Sequence, residues 1–263
     1  MSYIVQDTLT MTRRNLAHVR QIPEKLLDVT IQPVMFVVLF AYVFGGVIAV
    51  PGGNYREYLI AGVIVQSLGF GIMGPATSIA TDLGEGVVDR FRSLPMARSA
   101  YLLGNLIAEL LAMALAILVL SLAGLVVGWR IHSSPLEAME AYGLLLLFAF
   151  AILWVGTLVG LIVRSPDAAQ GVVFMVVFPM TFLATTFVPI TGFKGVLMAI
   201  AAWNPVSALS GAVRGLFGNP TATPARAPWP LMHPITTSVA WCLVIIAIAL
   251  PLALRQYAIK SRG

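Results

Sequence analysis

Six long apolar stretches constrain this chain more than any other feature. Together they contain a single charged side chain, Glu109. A helix that rises about 1.5 Å per residue needs about 20 residues to cross about 30 Å of hydrocarbon, and each stretch is roughly that long. The sequence therefore predicts an all-α integral membrane protein with six transmembrane helices. The predicted spans are residues 31–50, 58–79, 101–129, 141–163, 168–188 and 236–254.

The composition excludes an ordinary water-soluble fold. The chain is 59% hydrophobic and 10% charged, whereas soluble domains carry about 25% charged residues. A net charge of +5 can indicate a nucleic-acid partner, but here the basic residues are scattered over loops rather than gathered on one face. We therefore expect a lipid bilayer around the chain and no nucleic acid.

The distribution of basic residues predicts the orientation. If the N-terminus is inside, 11 of the 16 Lys and Arg fall in cytoplasmic segments, as the positive-inside rule favours. The others, among them Arg214, fall in outer segments. The prediction is a multi-pass plasma-membrane protein with both termini cytoplasmic. Aromatic rings prefer the membrane interface, and the aromatic residues expected at its outer side are Tyr55, Tyr58, Trp129, Tyr142, Trp203 and Trp229.

Two segments outside the spans are predicted to lie along the membrane. In residues 1–30, apolar residues recur at helical spacing beside Arg13 and Arg20, which predicts an interfacial amphipathic helix; a simple basic anchor is the alternative. In the outer region 189–235, an apolar stretch is interrupted at Asn204-Pro205, which predicts short re-entrant helices. Residues 31–263 then form one six-span domain.

Patterns that resemble catalytic, cofactor or metal motifs are weak. Residues 69–74 match the GxGxxG fingerprint, but they lie in an apolar stretch without a βαβ unit. Close helix packing explains small residues in spans better, and the same holds for Gly124 with Gly128 and for Gly156 with Gly160. The sequence has no P-loop motif. We therefore predict no catalytic, cofactor-binding or metal-binding residues.

The intramembrane charge of Glu109 leaves two interpretations open. An ionisable residue in a span is a functional candidate, because removing its charge from water costs several kcal/mol. Glu109 lies about two turns past the start of its span. It is therefore either paired or solvated near the cytoplasmic interface, or part of a transport pathway.

The loop between the second and third spans, residues 82–98, is the most specific segment. It places Phe91 among alternating acids and bases, including Asp89, Arg90 and Arg92, and stops at Pro95. A loop that only reverses the chain direction needs neither the aromatic residue nor so many charges. Exposed apolar side chains ringed by ions are typical of a docking element.

This loop resembles the coupling-loop motif of type-2 ABC transporter permeases, in particular the daunorubicin-resistance group. Four further runs resemble the same family in the same order, at residues 32–36, 42–46, 163–171 and 203–206. The similarity covers nearly the whole chain. The proline-rich loop 220–234 departs from the pattern.

The resemblance implies the permease subunit of an ATP-driven exporter that moves a hydrophobic drug, antibiotic or lipid out of the cell. Such a permease pairs with a second copy or a related permease, and with a separate ABC ATPase that binds ATP and Mg²⁺. The chain itself is then not an enzyme and holds no cofactor. An ion-coupled secondary transporter is the alternative, with Glu109 as its candidate residue. The implied ATPase-coupling residues are Glu85, Gly86, Asp89, Arg90, Phe91, Arg92, Ser93, Leu94 and Pro95.

The resemblance also implies that the second and fifth spans line the transport path. In the fifth span, Phe174, Phe178 and Phe182 follow at i, i+4 and i+8, on one helical face. With Phe70 and Met73 of the second span, they are the predicted substrate-path residues. Aromatic and Met surfaces suit flat, variable apolar ligands. Ordinary helix packing or lipid contact is the alternative.

Overall fold

The computed structural model describes residues 23–43, 45, 48–86, 98–224 and 226–260, and its regular elements there are helices. Residues 1–22 of the predicted amphipathic segment and residues 87–97 of the predicted coupling loop lie outside this part. A short 3-10 turn, Ile190–Gly192, accompanies the α-helices. The α-helices are α1 (Pro23–Val43), α2 (Tyr55–Phe70), α3 (Met73–Gly84), α4 (Arg98–Val127), α5 (Pro135–Ile162), α6 (Pro166–Phe182), α7 (Val196–Trp203), α8 (Pro205–Leu216), α9 (Trp229–Met232) and α10 (Pro234–Lys260).

The lengths of the described helices confirm an all-helical membrane architecture. Four helices are long and apolar enough to cross a bilayer: Tyr55–Gly84, in which α2 and α3 follow each other, Tyr101–Val127 within α4, then α5 and α10. The pair α7 and α8 passes the same test but bends by 64°, which gives five if the pair counts as one span. Apolar helices of 10–17 residues are α6 and the Val34–Val43 part of α1.

Helix starts are fixed by side-chain caps. Ser165 accepts a hydrogen bond from the Ala168 backbone N–H, directly before the proline that begins α6. Asn204 plays the same part for α8, because its Oδ1 accepts from the Val206 N–H at 2.9 Å. A cap followed by proline starts a new helix and ends the previous one. The predicted interruption at Asn204-Pro205 is therefore the 64° bend between α7 and α8.

Helices α2 and α3 run in one direction, α4 runs in the opposite direction and α5 runs back again, so the bundle has two ends. We call the end with Gly84 and Arg98 the loop end, and the end with Tyr55 and Val127 the cap end. Helix α5 packs against α3, α4, α8 and α10. Its contact with α3 is close, since a Cβ on Gly160 would lie 2.7 Å from the Ala76 carbonyl oxygen.

The packing predicted for the other glycine pairs is partly confirmed. Gly156 faces the Ile72 carbonyl directly before α3, and a Cβ on Gly124 would lie 2.9 Å from Ile60 of α2. Gly128 differs, because nothing lies within 4 Å of its Cβ position and its φ is +101°. That backbone conformation favours glycine where a helix ends, so Gly128 terminates α4 and does not pack.

The GxGxxG run of residues 69–74 breaks one long helix into α2 and α3. Gly69 faces Thr181 of α6, and the residues between the two helices form a turn at residues 71–72. Pro75 has no N–H to donate to the carbonyl four residues earlier, which is that of Gly71. The proline therefore explains why the helix is interrupted there, and the glycines serve packing as predicted.

The predicted interfacial aromatic residues divide into two groups. Trp203 and Trp229 are 59% and 56% exposed, as residues facing lipid headgroups would be. Tyr58 and Trp129, however, are fully buried among protein side chains. The Trp129 Nε1–H donates to Asn219 Oδ1 at 2.7 Å, across 90 residues of sequence. Tertiary packing at the cap end buries these two rings, which were predicted to lie at the membrane interface.

Candidate functional site

Two antiparallel helices carry the ends of the predicted coupling loop. Helix α3 ends at Gly84, and Glu85 caps it with a backbone N–H that donates to the Thr81 carbonyl at 2.9 Å. Gly86 follows with a φ of +67°, a conformation that favours glycine. The chain is described again from Arg98, where α4 begins. Glu85 and Gly86 therefore lie at the mouth of the loop.

The other predicted coupling residues lie outside the described part of the chain. They are Asp89, Arg90, Phe91, Arg92, Ser93, Leu94 and Pro95. Their role stays a prediction.

A row of polar contacts joins α3 and α4 directly beneath the loop. The Tyr101 hydroxyl donates to Asp82 Oδ2 at 2.7 Å, and one turn further in, Asn105 Nδ2 donates to Ser78 Oγ at 3.0 Å. Another turn in, the Glu109 carboxylate lies against Gly74, at the position where a side chain would begin. We call these three contacts the polar ladder.

The ladder specifies the surroundings of Glu109. Its carboxylate is half-buried and lies over the glycine backbone of α3, so Gly74 is the position that makes room for it. Glu109 is therefore placed between two helices and not on the lipid-facing side of α4. The ladder was missed by sequence reasoning, although its residues recur every four positions on both helices, a spacing that marks one helical face.

The predicted substrate-path phenylalanines form one continuous surface. Phe174 and Phe178 have ring centroids 5.1 Å apart, and Phe178 and Phe182 4.3 Å apart. Phe70 of α2 reaches the same surface, 6.3 Å from Phe174. The structure thus brings the aromatic residues of the second and fifth predicted spans together. Met73, also predicted here, is partly buried against the hydrophobic core.

Three rings that sequence reasoning missed extend this surface onto α1. Phe187 lies 5.5 Å from Phe182 and 4.7 Å from Phe40, and Phe40 lies 5.7 Å from Phe36. The i, i+4 spacing of Phe36 and Phe40 was a signal for one face of a helix. We call the full set of rings the aromatic row: Phe36, Phe40, Phe187, Phe182, Phe178, Phe174 and Phe70.

Much of the aromatic row is open to the surroundings of a single chain. Phe174, Phe178 and Phe182 are 52%, 41% and 40% exposed, and Met175 beside them is 76% exposed. These side chains therefore lie on the surface of a single chain, where lipid, a second chain or a ligand can contact them. An aromatic face of this kind can bind a flat apolar molecule by stacking.

A fully buried arginine holds the cap end together. Arg214 of α8 donates from Nε to the Tyr58 carbonyl at 2.8 Å and from Nη2 to the Thr186 carbonyl at 2.9 Å. Its guanidinium carbon lies 3.5 Å from the centroid of the Tyr58 ring. Gly62 of α2 leaves room for the arrangement, because a Cβ there would meet the Thr186 carbonyl. One side chain thus joins α2, α8 and the segment after α6.

Sequence reasoning placed Arg214 among the basic residues of outer loops, whereas it is buried inside a helix. A signal was present, since Ser207, Ser210 and Arg214 fall at i, i+3 and i+7 on one face of α8. A cation in an apolar helix is unusual, because removing its charge from water costs free energy.

The candidate site consists of apolar rings and paired polar groups. In the ranges that the structure describes, no three His, Cys, Asp or Glu residues gather closely enough to hold a metal ion. The site thus offers an aromatic surface on which an apolar ligand can stack, and hydrogen bonds that join two helices.

Comparison with protein families gives one match over most of the chain. Residues 6–217 match the family described as ABC-2 type transporter. The match includes the predicted coupling loop, the ladder and the aromatic row.

Curated relatives extend the comparison. The chain is 29% identical over 257 residues to the daunorubicin resistance ABC transporter permease protein DrrB1 of Streptomyces coeruleorubidus, covering 98% of this chain and 88% of that protein. It is 26% identical to the doxorubicin resistance ABC transporter permease protein DrrB of Mycobacterium tuberculosis, covering 85% and 80%. The probable doxorubicin resistance ABC transporter permease protein DrrC of that organism is 24% identical, covering 95% and 88%.

Proposed function

Because the chain belongs to the ABC-2 type transporter family and is a permease subunit of an ABC exporter, we propose that it exports flat apolar compounds along the aromatic row. The observation that carries this proposal is the continuity of the row. It contains seven phenylalanines with neighbouring centroids 4.3 to 6.3 Å apart, from α2 across α6 to α1.

The chemistry of the row favours a planar aromatic cargo. Stacked and tilted rings present both faces and edges, and Met175 adds a side chain that adapts its shape at little cost. The relatives are named for resistance to daunorubicin and doxorubicin, and such anthracyclines are flat polycyclic compounds. A cargo of that shape is therefore our first candidate. An apolar antibiotic or a lipid with a planar group is the second.

We place the chain in the plasma membrane with six crossings. Four are the long helices, and α1 and α6 supply the others. The 17 residues of α6 cover about 25 Å at about 1.5 Å per residue, close to the thickness of the hydrocarbon layer. In this arrangement α7 and α8 dip into the outer leaflet, the loop end is cytoplasmic, and both termini are cytoplasmic. The distribution of basic residues supports this orientation.

The family implies an ABC ATPase as partner. We propose that residues 85–95 dock on that ATPase, which holds ATP and Mg²⁺, and that Phe91 fills an apolar pocket there. A second copy of the permease then completes the path, because Phe174, Phe178 and Phe182 of one chain are 40% to 52% exposed. Two such rows facing each other would enclose a planar cargo.

Export is tested in inverted membrane vesicles that contain the permease and its cognate ABC ATPase. We expect ATP-dependent accumulation of daunorubicin that persists when ionophores collapse the ion gradients. Accumulation that needs an ion gradient and no ATP would instead identify a secondary transporter.

Phe91→Ala should reduce co-purification of the ATPase, since loss of an aromatic anchor costs about 2 kcal/mol or more in binding.

The role of the aromatic row is tested with a matched pair of variants. Phe178→Ala removes one ring of the row, whereas Leu111→Ala removes an apolar side chain of similar exposure from α4, 48% against 41%. We expect Phe178→Ala to lower export of daunorubicin relative to a non-aromatic apolar cargo, and Leu111→Ala to leave that ratio unchanged. Equal ratios in both variants would remove the row from the path.

A further inference from the structure

The polar ladder links α3 and α4 close to the loop end. Asp82, Ser78 and Gly74 follow every four residues on α3, and Tyr101, Asn105 and Glu109 follow every four residues on α4. The order is reversed between the two helices, as antiparallel packing requires. The spacing puts each set on a single helix face. The two helices therefore meet along these faces for about two turns beneath the loop, through two hydrogen bonds and the contact of Glu109 with Gly74.

Asn105 is held in place with little access to water. The residue is 5% exposed, its Nδ2 donates to Ser78, and its Oδ1 has no partner among the described residues. A buried amide oxygen without a partner opposes folding. Asn105 is thus a poor choice for stability alone, and a leucine would fill the same space at no such cost.

The loop-end half of the second span is separate from its cap-end half. The turn at residues 71–72 divides α2 from α3, and Pro75 removes the hydrogen bond that would continue the helix. All three contacts of the ladder lie on the loop side of this break.

The cap-end half is fixed by other partners. Arg214 bonds the backbone of α2 to α8 and to the Thr186 carbonyl. Helix α2 is therefore tied to the cap end, and α3 is tied to α4. The break lies between these two sets of bonds.

We propose that Tyr101 and Asn105 are positioning residues that hold the loop-end halves of α3 and α4 together as one rigid hairpin, which carries the coupling loop. The inference rests on the proposed coupling role of residues 85–95. Movement of the loop by the ATPase is then transmitted to both helices together. Without the ladder, the loop bends α3 and α4 independently, and ATP is hydrolysed without export.

The first test removes single hydroxyl groups. In the full permease–ATPase complex, Tyr101→Phe and Ser78→Ala each remove one contact of the ladder. The control is Tyr142→Phe, which removes a comparable hydroxyl contact, from Tyr142 to Ser121 at 3.2 Å, between α4 and α5. We expect the ATP hydrolysed per daunorubicin exported to rise about fivefold in the ladder variants, the factor that loss of one net hydrogen bond gives. The KM for ATP should stay unchanged.

Conservative replacement separates positioning from structure. Asp82→Asn keeps a side-chain carbonyl that accepts from the Tyr101 hydroxyl, and Asp82→Leu does not. We expect the asparagine variant to couple ATP hydrolysis to export as the wild type does and the leucine variant to fail. Ladder variants that couple as well as Tyr142→Phe would overturn the proposal.

The closing experiment replaces one contact with a covalent bond. Ser78→Cys and Asn105→Cys are combined in a background in which the buried Cys242 is alanine. A disulfide needs Cβ atoms about 3.5–4.5 Å apart, so the cross-link tests how closely α3 and α4 approach at this contact. We expect the pair to cross-link equally fast with and without ATP, and the oxidised protein to export as well as or better than the reduced protein.

A rate that falls when ATP binds, or export that stops on oxidation, would show that the helices separate and would overturn the proposal. The cross-linking rate needs no cargo. An absence of ATP-dependent daunorubicin export in the wild type would overturn the proposed function. That outcome is distinguishable from a failure of the present proposal, because the cross-linking rate measures the rigidity of the hairpin independently of export.

Discussion

The two ends of the helical bundle are held together in different ways. At the cap end, side chains bond to backbone atoms and buried amides far away in sequence: Arg214 and Tyr58 meet across 156 residues, and Trp129 and Asn219 across 90. At the loop end, side chain bonds to side chain across 19 residues between Tyr101 and Asp82. The cap end therefore joins several segments, and the loop end joins two neighbouring helices.

The difference has a mechanical consequence. A buried group bonded to several segments resists displacement, because any movement leaves a polar atom without a partner in a region that water does not reach. A contact between two neighbouring helices restricts mainly their mutual arrangement, and the packing of α3 and α4 on α5 restricts the pair further.

The largest expected effect is at Gly62, on the cap-end side. Gly62→Ala places a Cβ against the Thr186 carbonyl and 2.9 Å from Arg214 Nη2. The Thr186 carbonyl belongs to the backbone and cannot move aside as a flexible side chain can. We therefore expect a loss of about 3 kcal/mol in the free energy of unfolding. The control is Gly84→Ala at the loop end, where nothing lies within 4 Å. Thermal melting in detergent checks both, and equal melting temperatures would remove the distinction between the ends.

A smaller loss is expected from one hydrogen-bond donor at the cap end. Trp129→Phe leaves Asn219 Oδ1 without its donor, and Asn219 is 6% exposed. An unsatisfied buried acceptor costs about 1–3 kcal/mol. Trp154→Phe is the matched control, because Trp154 is equally buried but its Nε1 has no partner among the described residues. The comparison is contradicted if the two variants melt at the same temperature.

The smallest effect on stability is expected from one donor at the loop end. Tyr101→Phe removes the hydrogen bond to Asp82, but that carboxylate is only half-buried and water replaces the lost donor. We expect a loss of about 1 kcal/mol or less. Chemical denaturation of this variant beside Trp129→Phe compares the same type of change at the two ends. A loss as large as that of Trp129→Phe would mean that the loop end is as rigidly built as the cap end.

Several parts of the candidate site could be predicted from sequence. Phe174, Phe178 and Phe182 share a helix face by spacing alone, and their rings do form one surface. Phe70 was assigned to the same path through the family resemblance, and it lies 6.3 Å from Phe174. Phe40 and Phe187 were not predicted to meet, because they belong to segments that spacing rules do not relate.

The hydropathy of the sequence by itself determined the class of the protein and the approximate positions of its helices, since apolar length is a local property that each segment carries alone. Family membership followed from short motifs, because a motif is also a local property of one segment. Tertiary structure alone decided that Arg214 is buried on Tyr58, that α3 and α4 meet through polar groups, and that seven rings join into one row. These features depend on which faces of distant helices pack together. That packing is decided by contacts between residues far apart in sequence, and no local sequence pattern specifies them.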